Sequence, residues 1–548
     1  MSLSLRHYLA AALLALALFL PGRASIPPFD RDEPRYMEAS AQMLRSGDFV
    51  DVRFQDQPRY LQPAGIYWLE AAAVALTGEE HGHAVWPYRL PSLVAAVGSV
   101  LLTLRLGSLL FGVEAGPLAA LLLACSVLMT AESRMATIDS CLLLAVLSAL
   151  SALHRAWADR DSGAPTPPGV AALFWGAVGA GLMLKGPVML IPALGTPLAL
   201  ALVERRTAWW RRLRPGWGVP LALLIVLPWC VAIFVRSHGL FFQRAVGTNF
   251  LGKVASGQQA HGLPPGYHLL VFAVAFWPGS VFAAAAIPFA WMRRRNPSVR
   301  FLLCWIIPHW LVFELIATKL PHYVLPCYPA IAILSAAAAI QAGSWRPNSR
   351  WGRVLLGCYG AAWLLVGAAL ALAGPLLMWR LQHVLSWPAL LIPVLSLPLI
   401  GLAAFLLLRD RPREAMLSSC GGAVIAYAAL FTLVIPNLSA IWLSPRIAAT
   451  VAALRPCPGS VLASASFSEP SLVFLAGQDT RLVNAAGAAD FLRADPACGL
   501  ALVGERDMAA FRAALDRDGL AVRRLSVIDG INYSNGRSLH LSLFAVRP

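Results

Sequence analysis

Long apolar stretches separated by short polar connections fill the chain up to about residue 440. A helix that crosses a membrane needs about 20 predominantly apolar residues, within a range of about 17–25. Thirteen stretches approach that length, at roughly 5–21, 87–111, 117–131, 137–154, 169–186, 187–203, 216–235, 267–292, 301–318, 322–341, 354–378, 384–408 and 416–440. The pattern predicts an all-α polytopic membrane protein with about 13 transmembrane helices.

The pattern changes after residue 440, where the hydrophobicity falls and the charges balance. Short apolar runs alternate there with helix-like stretches, as in an α/β domain. The runs are 460–465, 500–503 and 539–546. The sequence therefore predicts two units, a transmembrane unit over 1–440 and a small C-terminal α/β domain over 441–548. That domain could cover a binding site or could only stabilise the helix bundle.

Composition and charge agree with a membrane protein. Of the 548 residues, 58% are hydrophobic and 13% are charged, and the formal net charge is +16; a soluble chain averages roughly 25% charged residues. The arginines concentrate in four short connections, at 204–214, 293–300, 346–353 and 409–413. These connections lie an even number of spans apart, so the positive-inside rule places them and the N-terminus in the cytoplasm. The positive charge is thus a topology signal and not the mark of a nucleic-acid partner, and the C-terminal domain is expected outside.

The connection 22–86 is acidic and is also expected outside. Pro34 begins a predicted helix over 34–46, and Asp32 and Glu33 precede it. These carboxylates could simply cap the helix, or one of them could act as a general base or bind a cationic ligand. The apolar run before this loop could be a cleaved signal peptide instead of a first span; its retention would tether Asp32 at the membrane surface.

Six ionisable residues lie inside or at the ends of predicted spans, where a charge is costly unless it faces protein or water. They are Glu132, Arg134, Asp139, Lys185, Glu314 and Lys319. Such residues mark functional sites by default, and the alternative is mutual pairing, for instance of Asp139 with Arg134 or Lys185. Lys319 is followed by His322 and Tyr323 where the chain turns between two spans. Lysines are compact point charges suited to phosphate.

Two classes of membrane protein fit these features. In an enzyme, cations would bind a lipid-linked phosphate leaving group and a carboxylate would activate an acceptor. In a transporter, the charges would form an ion relay within two repeated halves. The sequence shows no convincing internal repeat, and its largest polar segment follows the first span directly, which favours the enzyme.

Cysteine usage suggests one disulfide candidate. Of nine cysteines, Cys457 and Cys498 are the two in the C-terminal domain. An oxidising exterior permits a bond between them, but the spacing alone does not show proximity, so bonded and free thiols both remain open. Zinc, Walker and Rossmann motifs do not occur in the right sequence context.

Several motifs, taken in their order along the chain, resemble those of a known family. They are RDEPRYMEASAQMLRSGDF (31–49), RYLQPAGIYW (59–68), RMATIDSCL (134–142), GLMLKGPVMLIP (181–192), HGLPPGYH (261–268), TKLPHYVLPCYP (318–329) and INYSNGRSLHLSLF (531–544). The family is that of the GT-C glycosyltransferases that use polyprenyl-phosphate sugars, and within it the 4-amino-4-deoxy-L-arabinose (aminoarabinose) lipid A transferases. The resemblance runs nearly end to end.

The resemblance implies a GT-C fold with thirteen spans, juxtamembrane helices in the loop 22–86 and a C-terminal α/β domain. It also implies that the protein lies in a bacterial inner membrane with this domain in the periplasm. It implies inverting transfer of the aminosugar from undecaprenyl phosphate to a lipid A phosphate, and hence resistance to polymyxin. No cofactor is required in this expectation. A divalent metal, zinc or magnesium, is an optional one.

The resemblance also assigns roles to individual residues. Asp32 would be the principal catalytic carboxylate, with Glu33 beside it and Asp139 as a second acid near the cavity. His261 matches a histidine that can help to bind a divalent metal in this family. The expected ligands of the carrier phosphate are Lys185, Arg244, Lys319 and Tyr323, and the expected residues of the substrate cavity are Arg35, Tyr60 and Gln62.

The sequence departs from the family pattern at one place. Family members commonly have Glu-Lys before the first-loop proline, whereas Leu61 and Gln62 precede Pro63 here. Gln62 can donate a hydrogen bond but carries no charge, and Leu61 cannot bind a metal. Another aminosugar or hexose donor therefore stays open. The alternatives are a GT-C protein O-mannosyltransferase, another lipid-carrier hexose transferase and, in a different class, a membrane transporter or flippase.

Overall fold

The computed structural model describes residues 3–79, 83–161, 165–252, 263–341, 347, 349–517 and 519–547. Within these ranges, nine helical segments are long and apolar enough to cross a membrane. They are Leu90–Phe111, Asp139–Asp161, Pro168–Glu204, Pro215–Arg236, Pro297–Leu315, Pro321–Gln341, Arg350–Gln382, Trp387–Leu408 and Pro412–Asn437. The predicted multi-pass membrane architecture is confirmed, while the number of thirteen spans stays a prediction.

Some predicted spans are shorter or interrupted. Leu5–Phe19 and Ala115–Cys125 are apolar but short. The stretch 267–292, predicted as one span, forms two helices, Tyr267–Ala275 and Ser280–Met292. Pro278 lies in the break, and a proline has no N–H with which to continue the helical hydrogen bonds. The carbonyl of Pro278 accepts a hydrogen bond from Trp363 Nε1 at 2.9 Å within this break.

The helices pack through small residues and turn large apolar ones outward. A Cβ on Gly107 would lie 3.1 Å from the Cα of Gly116, so these glycines let the helices Leu90–Phe111 and Ala115–Cys125 approach closely. On the helix Pro215–Arg236, by contrast, Leu224, Val231 and Val235 are exposed. Such outward apolar side chains suit a lipid environment.

The segment that follows the first helix contains two more helices, Asp32–Ser46 and Gly65–Thr77. Between them lies a short hairpin of the strands Arg53–Phe54 and Gln57–Pro58. The helix predicted to begin at residue 34 begins two residues earlier, at Asp32. It ends where Gly47 adopts a left-handed conformation with φ +69°, which a glycine accepts without steric cost.

The C-terminal domain contains a five-stranded sheet between two layers of helices. Its strands, in spatial order, are Arg481–Leu482, Leu462–Ser464, Leu500–Gly504, Arg537–Val546 and Val522–Asn532. The first three are parallel and the last two pair antiparallel. One sheet face packs on the helices Leu443–Leu454 and Pro470–Ala476, and the other packs on Ala485–Ala494 and Met508–Arg517. A disulfide joins Cys457 and Cys498, which settles the alternative that the sequence left open.

Candidate active site between the first loop and the helix bundle

A cavity of about 270 Å³ lies where the residues just before the helix Gly65–Thr77 meet the bundle. Most of its walls are apolar, with contributions from the helix Pro215–Arg236 and from the segment 240–251. Its polar lining residues are Gln62, Asp139, Lys185, Asn249, His322 and Tyr323. A mostly apolar cavity with a few polar groups at one place suits a ligand that has a polar head and an apolar chain.

The polar part of the cavity is organised by an ion pair. Lys185 is the last residue of the helix Pro168–Lys185, and Asp139 is the first residue of the helix Asp139–Ala158. The Lys185 Nζ donates a hydrogen bond to Asp139 Oδ1 at 2.5 Å and lies 5.6 Å from the centre of the Tyr323 ring. Of the two pairings expected for Asp139, the structure therefore contains the one with Lys185. Arg134 instead donates to the carbonyls of Thr130 and Pro21.

Two further ionisable groups stand beside Asp139. His322 Nε2 is 3.8 Å from Asp139 Oδ2, and His322 Nδ1 is 3.8 Å from Glu132 Oε1. One ligand atom from each of the three residues lies within 4.8 Å of the others, which is close enough for all three to hold one metal ion. Two carboxylates and an imidazole are ligands that zinc accepts. The expected metal ligand His261 lies outside the described residues.

Asp32 begins the helix Asp32–Ser46 and exposes 71% of its side chain. Its carboxylate is 4.0 Å from the guanidinium of Arg35. Tyr36, the residue after Arg35, accepts a hydrogen bond from Gln62 in the cavity wall, so this end of the helix lies near the cavity although Asp32 and Arg35 do not line it. An exposed carboxylate in this position can meet a substrate group that projects from the cavity.

Glu33 has a different environment, which contradicts its expected catalytic role. Its side chain is fully buried, and both of its oxygens are held by Arg89, at 2.7 Å and 2.9 Å. The backbone N–H groups of Phe29 and Ala136 also donate to it, each at 2.8 Å. Glu33 therefore joins the first loop to the bundle and has no face left for a substrate.

Lys319 does not reach the cavity, contrary to its expected role as a phosphate ligand. It is buried, and its Nζ donates to the carbonyls of Glu314 at 2.9 Å and Ile316 at 2.5 Å, with Phe313 at 3.5 Å. These groups lie at the C-terminal end of the helix Pro297–Leu315, where carbonyls lack helical partners and attract a cation. The side chain of Lys319 therefore caps the C-terminal end of this helix.

The remaining predicted residues lie in or just behind the cavity wall. Gln62 lines the cavity and its amide donates to the Tyr36 hydroxyl. Tyr60 is one layer behind, with its ring against Phe241 and its hydroxyl donating to Asp51 at 2.7 Å. Burial, followed by the bond to Asp51, raises the pKa of Tyr60 to about 12, so it stays protonated at neutral pH. Arg244 is exposed on the segment Gln243–Leu251, outside the lining.

Two groups that shape this site, Arg89 and Arg59, were not among the residues expected from the sequence. Arg89 holds Glu33 from a position 56 residues along the chain, and nothing in the sequence pairs the two. Arg59 is buried with its Cζ 5.0 Å from the centre of the Tyr36 ring, and its Nε donates to the Tyr67 hydroxyl at 3.0 Å. Arg59 is the first residue of the motif RYLQPAGIYW (59–68), and this position was the only indication in the sequence that it lies near the site.

Comparison with known sequences agrees with the motifs. The sequence model of the dolichyl-phosphate-mannose-protein mannosyltransferase family matches residues 61–231. The undecaprenyl phosphate-alpha-4-amino-4-deoxy-L-arabinose arabinosyl transferase of Pseudomonas aeruginosa PAO1 is 33% identical over 57% of this chain and 55% of its own. The enzyme of the same name from Pectobacterium carotovorum is 28% identical over 61% of this chain and 59% of its own. The match thus spans little more than half the length of these relatives, and it confirms the resemblance seen in the motifs.

Solved structures share the fold over almost the whole chain. ArnT from Cupriavidus metallidurans bound to undecaprenyl phosphate superposes with a TM-score of 0.74 at 19% identity and covers 98% of this chain and 97% of its own. The archaeal oligosaccharyltransferase AglB from Archaeoglobus fulgidus, in complex with an inhibitory peptide and a dolichol-phosphate, reaches a TM-score of 0.55 at 12% identity, over 94% of this chain and 68% of its own. The predicted GT-C fold with a small C-terminal sheet domain is confirmed.

Proposed function

We propose that this chain is an inverting glycosyltransferase that moves 4-amino-4-deoxy-L-arabinose from undecaprenyl phosphate to a lipid A phosphate, and that it thereby gives resistance to polymyxin. The observation that carries the proposal is the ion pair of Lys185 and Asp139 at the polar part of an apolar cavity. A polyprenyl phosphate has the matching chemistry, with a long apolar chain and an anionic head. The relatives named for this reaction support the same choice of donor.

In this proposal Lys185 stabilises the leaving group. Its ammonium has three donors, and Asp139 takes one of them. The others can serve the phosphate oxygens, together with the Gln62 amide and the Tyr323 hydroxyl, which line the same cavity. As the bond from the sugar C1 to the carrier oxygen breaks, the carrier phosphate gains negative charge, and donors placed in advance stabilise that charge.

The acceptor attacks the opposite face of C1, which inverts the configuration. A phosphate monoester of lipid A is already ionised near pH 7, so the attacking oxygen needs no base. Asp32 would then position the acceptor or pair with the amine of the sugar, and its exposed carboxylate beside Arg35 suits such a contact. A hydroxyl acceptor would need Asp32 as a general base, an effect of about 10²–10⁴-fold.

A divalent metal remains an optional part of the proposal. Glu132, Asp139 and His322 would hold it, and the bound ion would supply positive charge for the carrier phosphate. The ion would share Asp139 with Lys185, which holds the other carboxylate oxygen. Metal content of the purified protein tests this directly: zinc or magnesium retained by the wild type and lost in His322→Ala supports it, and equal content in both overturns it.

The membrane orientation is proposed from the arginine-rich connections. We place the N-terminus in the cytoplasm of a bacterial inner membrane and the C-terminal domain in the periplasm, where lipid A is modified. The unit boundary near residue 440 belongs to the same proposal. Reporter fusions at residue 410 and at residue 547 distinguish the sides; a cytoplasmic signal at 547 contradicts the orientation.

The deciding experiment is complementation in a strain that lacks its own aminoarabinose transferase. Expression of the wild type should restore polymyxin resistance and add the mass of one aminoarabinose to lipid A. Asp32→Asn should abolish both at equal expression, and Asp56→Ala, an exposed acid of the same loop, should leave both unchanged. Wild-type lipid A without the added mass contradicts the proposal.

A second candidate, a lipid-carrier hexose or protein O-mannosyl transferase, has one specific observation in its favour. The match to the mannosyltransferase family model begins at Leu61, where this chain departs from the aminoarabinose pattern and has Gln62. In the same strain, unmodified lipid A with newly glycosylated protein or another glycolipid would identify this activity. Unmodified lipid A without any new glycoconjugate would point to the transporter class.

A further inference from the structure

Residues 29–33 span the start of the helix Asp32–Ser46, and their contacts with the rest of the protein differ sharply. Within the described residues, the only ion pair of Asp32 is the 4.0 Å contact with Arg35. Its neighbours on both sides are fixed by other parts of the chain. Glu33, on one side, is locked to Arg89 in the bundle. The other side, 29–31, is held by the C-terminal domain.

Asp30 makes the central contact with that domain. The backbone N–H of Ser471 donates to Asp30 Oδ1 at 2.9 Å, and the Ser471 hydroxyl donates to Asp30 Oδ2 at 2.6 Å. The backbone N–H of Asp30 in turn donates to the Tyr533 hydroxyl at 2.6 Å. Both carboxylate oxygens and the backbone of Asp30 are thus fixed by two residues of the C-terminal domain, Ser471 and Tyr533.

The residues on either side of Asp30 bind the same domain. The Phe29 ring packs edge-on against Trp442, with ring centres 5.4 Å apart. The Arg31 guanidinium lies 3.4 Å from the Glu469 carboxylate. Ser471 is itself hydrogen-bonded within the C-terminal domain, since the Ser444 hydroxyl lies 2.6 Å from the Ser471 hydroxyl. Ser471 uses its own hydrogen for Asp30, so Ser444 is the donor in that pair.

We propose that the C-terminal domain is a positioning element of the active site, in which Ser471 and Tyr533 hold Asp30 and thereby set where the carboxylate of Asp32 stands. Asp32 is two residues beyond Asp30 and one before the buried Glu33, so both backbone ends of this short stretch are fixed. Asp30, Ser471 and Tyr533 are positioning residues. The inference rests on the proposed function in assigning Asp32 to the reaction.

A separate contact between the same two regions provides a matched control. Asp56 pairs with Arg481 at 3.6 Å, with both side chains well exposed, and it lies in the hairpin of the first loop. If the C-terminal domain only stabilised the loop, loss of either contact would act through stability alone. If it positions Asp32, only loss of the Asp30 contact should change turnover.

The kinetic test compares Asp30→Ala, Ser471→Ala and Asp56→Ala in the full-length protein, with sugar transfer to a diphosphoryl lipid A measured in detergent. A misplaced catalytic group costs up to about 10²-fold in rate. We expect kcat to fall between about 10-fold and 100-fold in the first two variants, with KM for both substrates within about twofold, and Asp56→Ala to match the wild type. A wild-type kcat in Asp30→Ala overturns the inference.

Asp30→Asn is the conservative rescue. Its amide oxygen can still accept from the Ser471 N–H and its amide N–H can donate to the Ser471 hydroxyl. We expect it to recover most of the kcat that Asp30→Ala loses. Equal kcat in the two variants would mean that the negative charge, and not the geometry, matters, and would contradict a positioning role.

A measurement without substrate separates failure of this inference from failure of the proposed function. Hydrogen exchange of the peptide covering 27–35 should be faster in Asp30→Ala and Ser471→Ala than in the wild type and Asp56→Ala. Unchanged exchange overturns the positioning role even if transfer is observed. If the wild type transfers no aminoarabinose, the proposed function fails, while faster exchange still supports the positioning of this stretch by the C-terminal domain.

Discussion

Arg89 holds the carboxylate of Glu33 with two hydrogen bonds, from Nε at 2.7 Å and from Nη2 at 2.9 Å, while the adjacent Asp32 keeps 71% of its side chain exposed. Two neighbouring acids therefore have opposite surroundings. One is a buried member of an ion pair and the other is free to meet a substrate. This contrast makes their substitutions distinguishable.

Glu33→Gln should unfold the protein more easily, and Asp32→Asn should not. Removing one partner of a buried ion pair costs about 3–5 kcal/mol because the other charge stays buried. We expect a lower melting temperature in detergent for Glu33→Gln, with partial recovery in the double variant Glu33→Met/Arg89→Met. Asp32→Asn should melt like the wild type and lose transfer. Equal melting of Glu33→Gln and the wild type would contradict the structural role of Glu33.

Lys185→Met should weaken the site for the carrier phosphate. Loss of a preorganised donor to a developing negative charge costs about 10²–10³-fold in kcat. Since Lys185→Met leaves Asp139 without its cation, the double variant Lys185→Met/Asp139→Asn separates lost phosphate binding from an unpaired buried acid. Protection of the wild type against heat by undecaprenyl phosphate should disappear in both variants. Retained protection would remove Lys185 from the donor site.

Lys319→Met should act on stability and not on the donor. The ammonium of Lys319 satisfies carbonyls at the end of the helix Pro297–Leu315, and a buried polar group left without its partner costs about 1–3 kcal/mol. We expect a lower melting temperature and an unchanged KM for the polyprenyl-phosphate sugar in the remaining folded protein. A raised KM with unchanged melting would return Lys319 to the phosphate site.

Glu38 should make stability depend on pH. Burial raises its pKa from about 4.5 to about 7, against the opposing effect of Arg45, while Asp479 raises it further. The folded protein therefore holds this proton more tightly than the unfolded chain. The stabilisation is complete below about pH 4.5 and is lost as the pH rises through about 7. The melting temperature of Glu38→Gln should fall less than that of the wild type between pH 5 and pH 8; parallel curves would exclude Glu38 as the source.

The membrane architecture was predictable because lipid-facing helices must be apolar along their whole length, which leaves a strong trace in the sequence. The α/β character of the C-terminal domain and the approximate start of the helix at Asp32 followed from local patterns in the same way. Pairing of Asp139 with Lys185 was one of two alternatives that charge alone allowed. Features that depend on neighbouring residues in the sequence, or on the cost of placing a charge in lipid, could thus be predicted.

The roles of Glu33 and Lys319 could not be predicted, because they depend on contacts that the sequence does not encode locally. Asp32 and Glu33 are adjacent and alike in charge, but Glu33 alone is buried against Arg89. Lys319 precedes His322 and Tyr323 closely, yet its side chain folds back onto the preceding helix. The contact of Asp30 with Ser471 joins residues 441 positions apart.

The ion pair of Lys185 and Asp139 means that these two groups add no net charge to the cavity before a ligand arrives. Gln62 is neutral, and Lys319 lies outside the cavity lining, so neither side chain adds a charge there. A phosphate ester would then gain little from long-range attraction. Its arrival would depend on lateral diffusion and on partition of its tail, so the encounter is two-dimensional. Turnover should follow the surface density of donor in the bilayer and respond weakly to the salt content of the surrounding buffer.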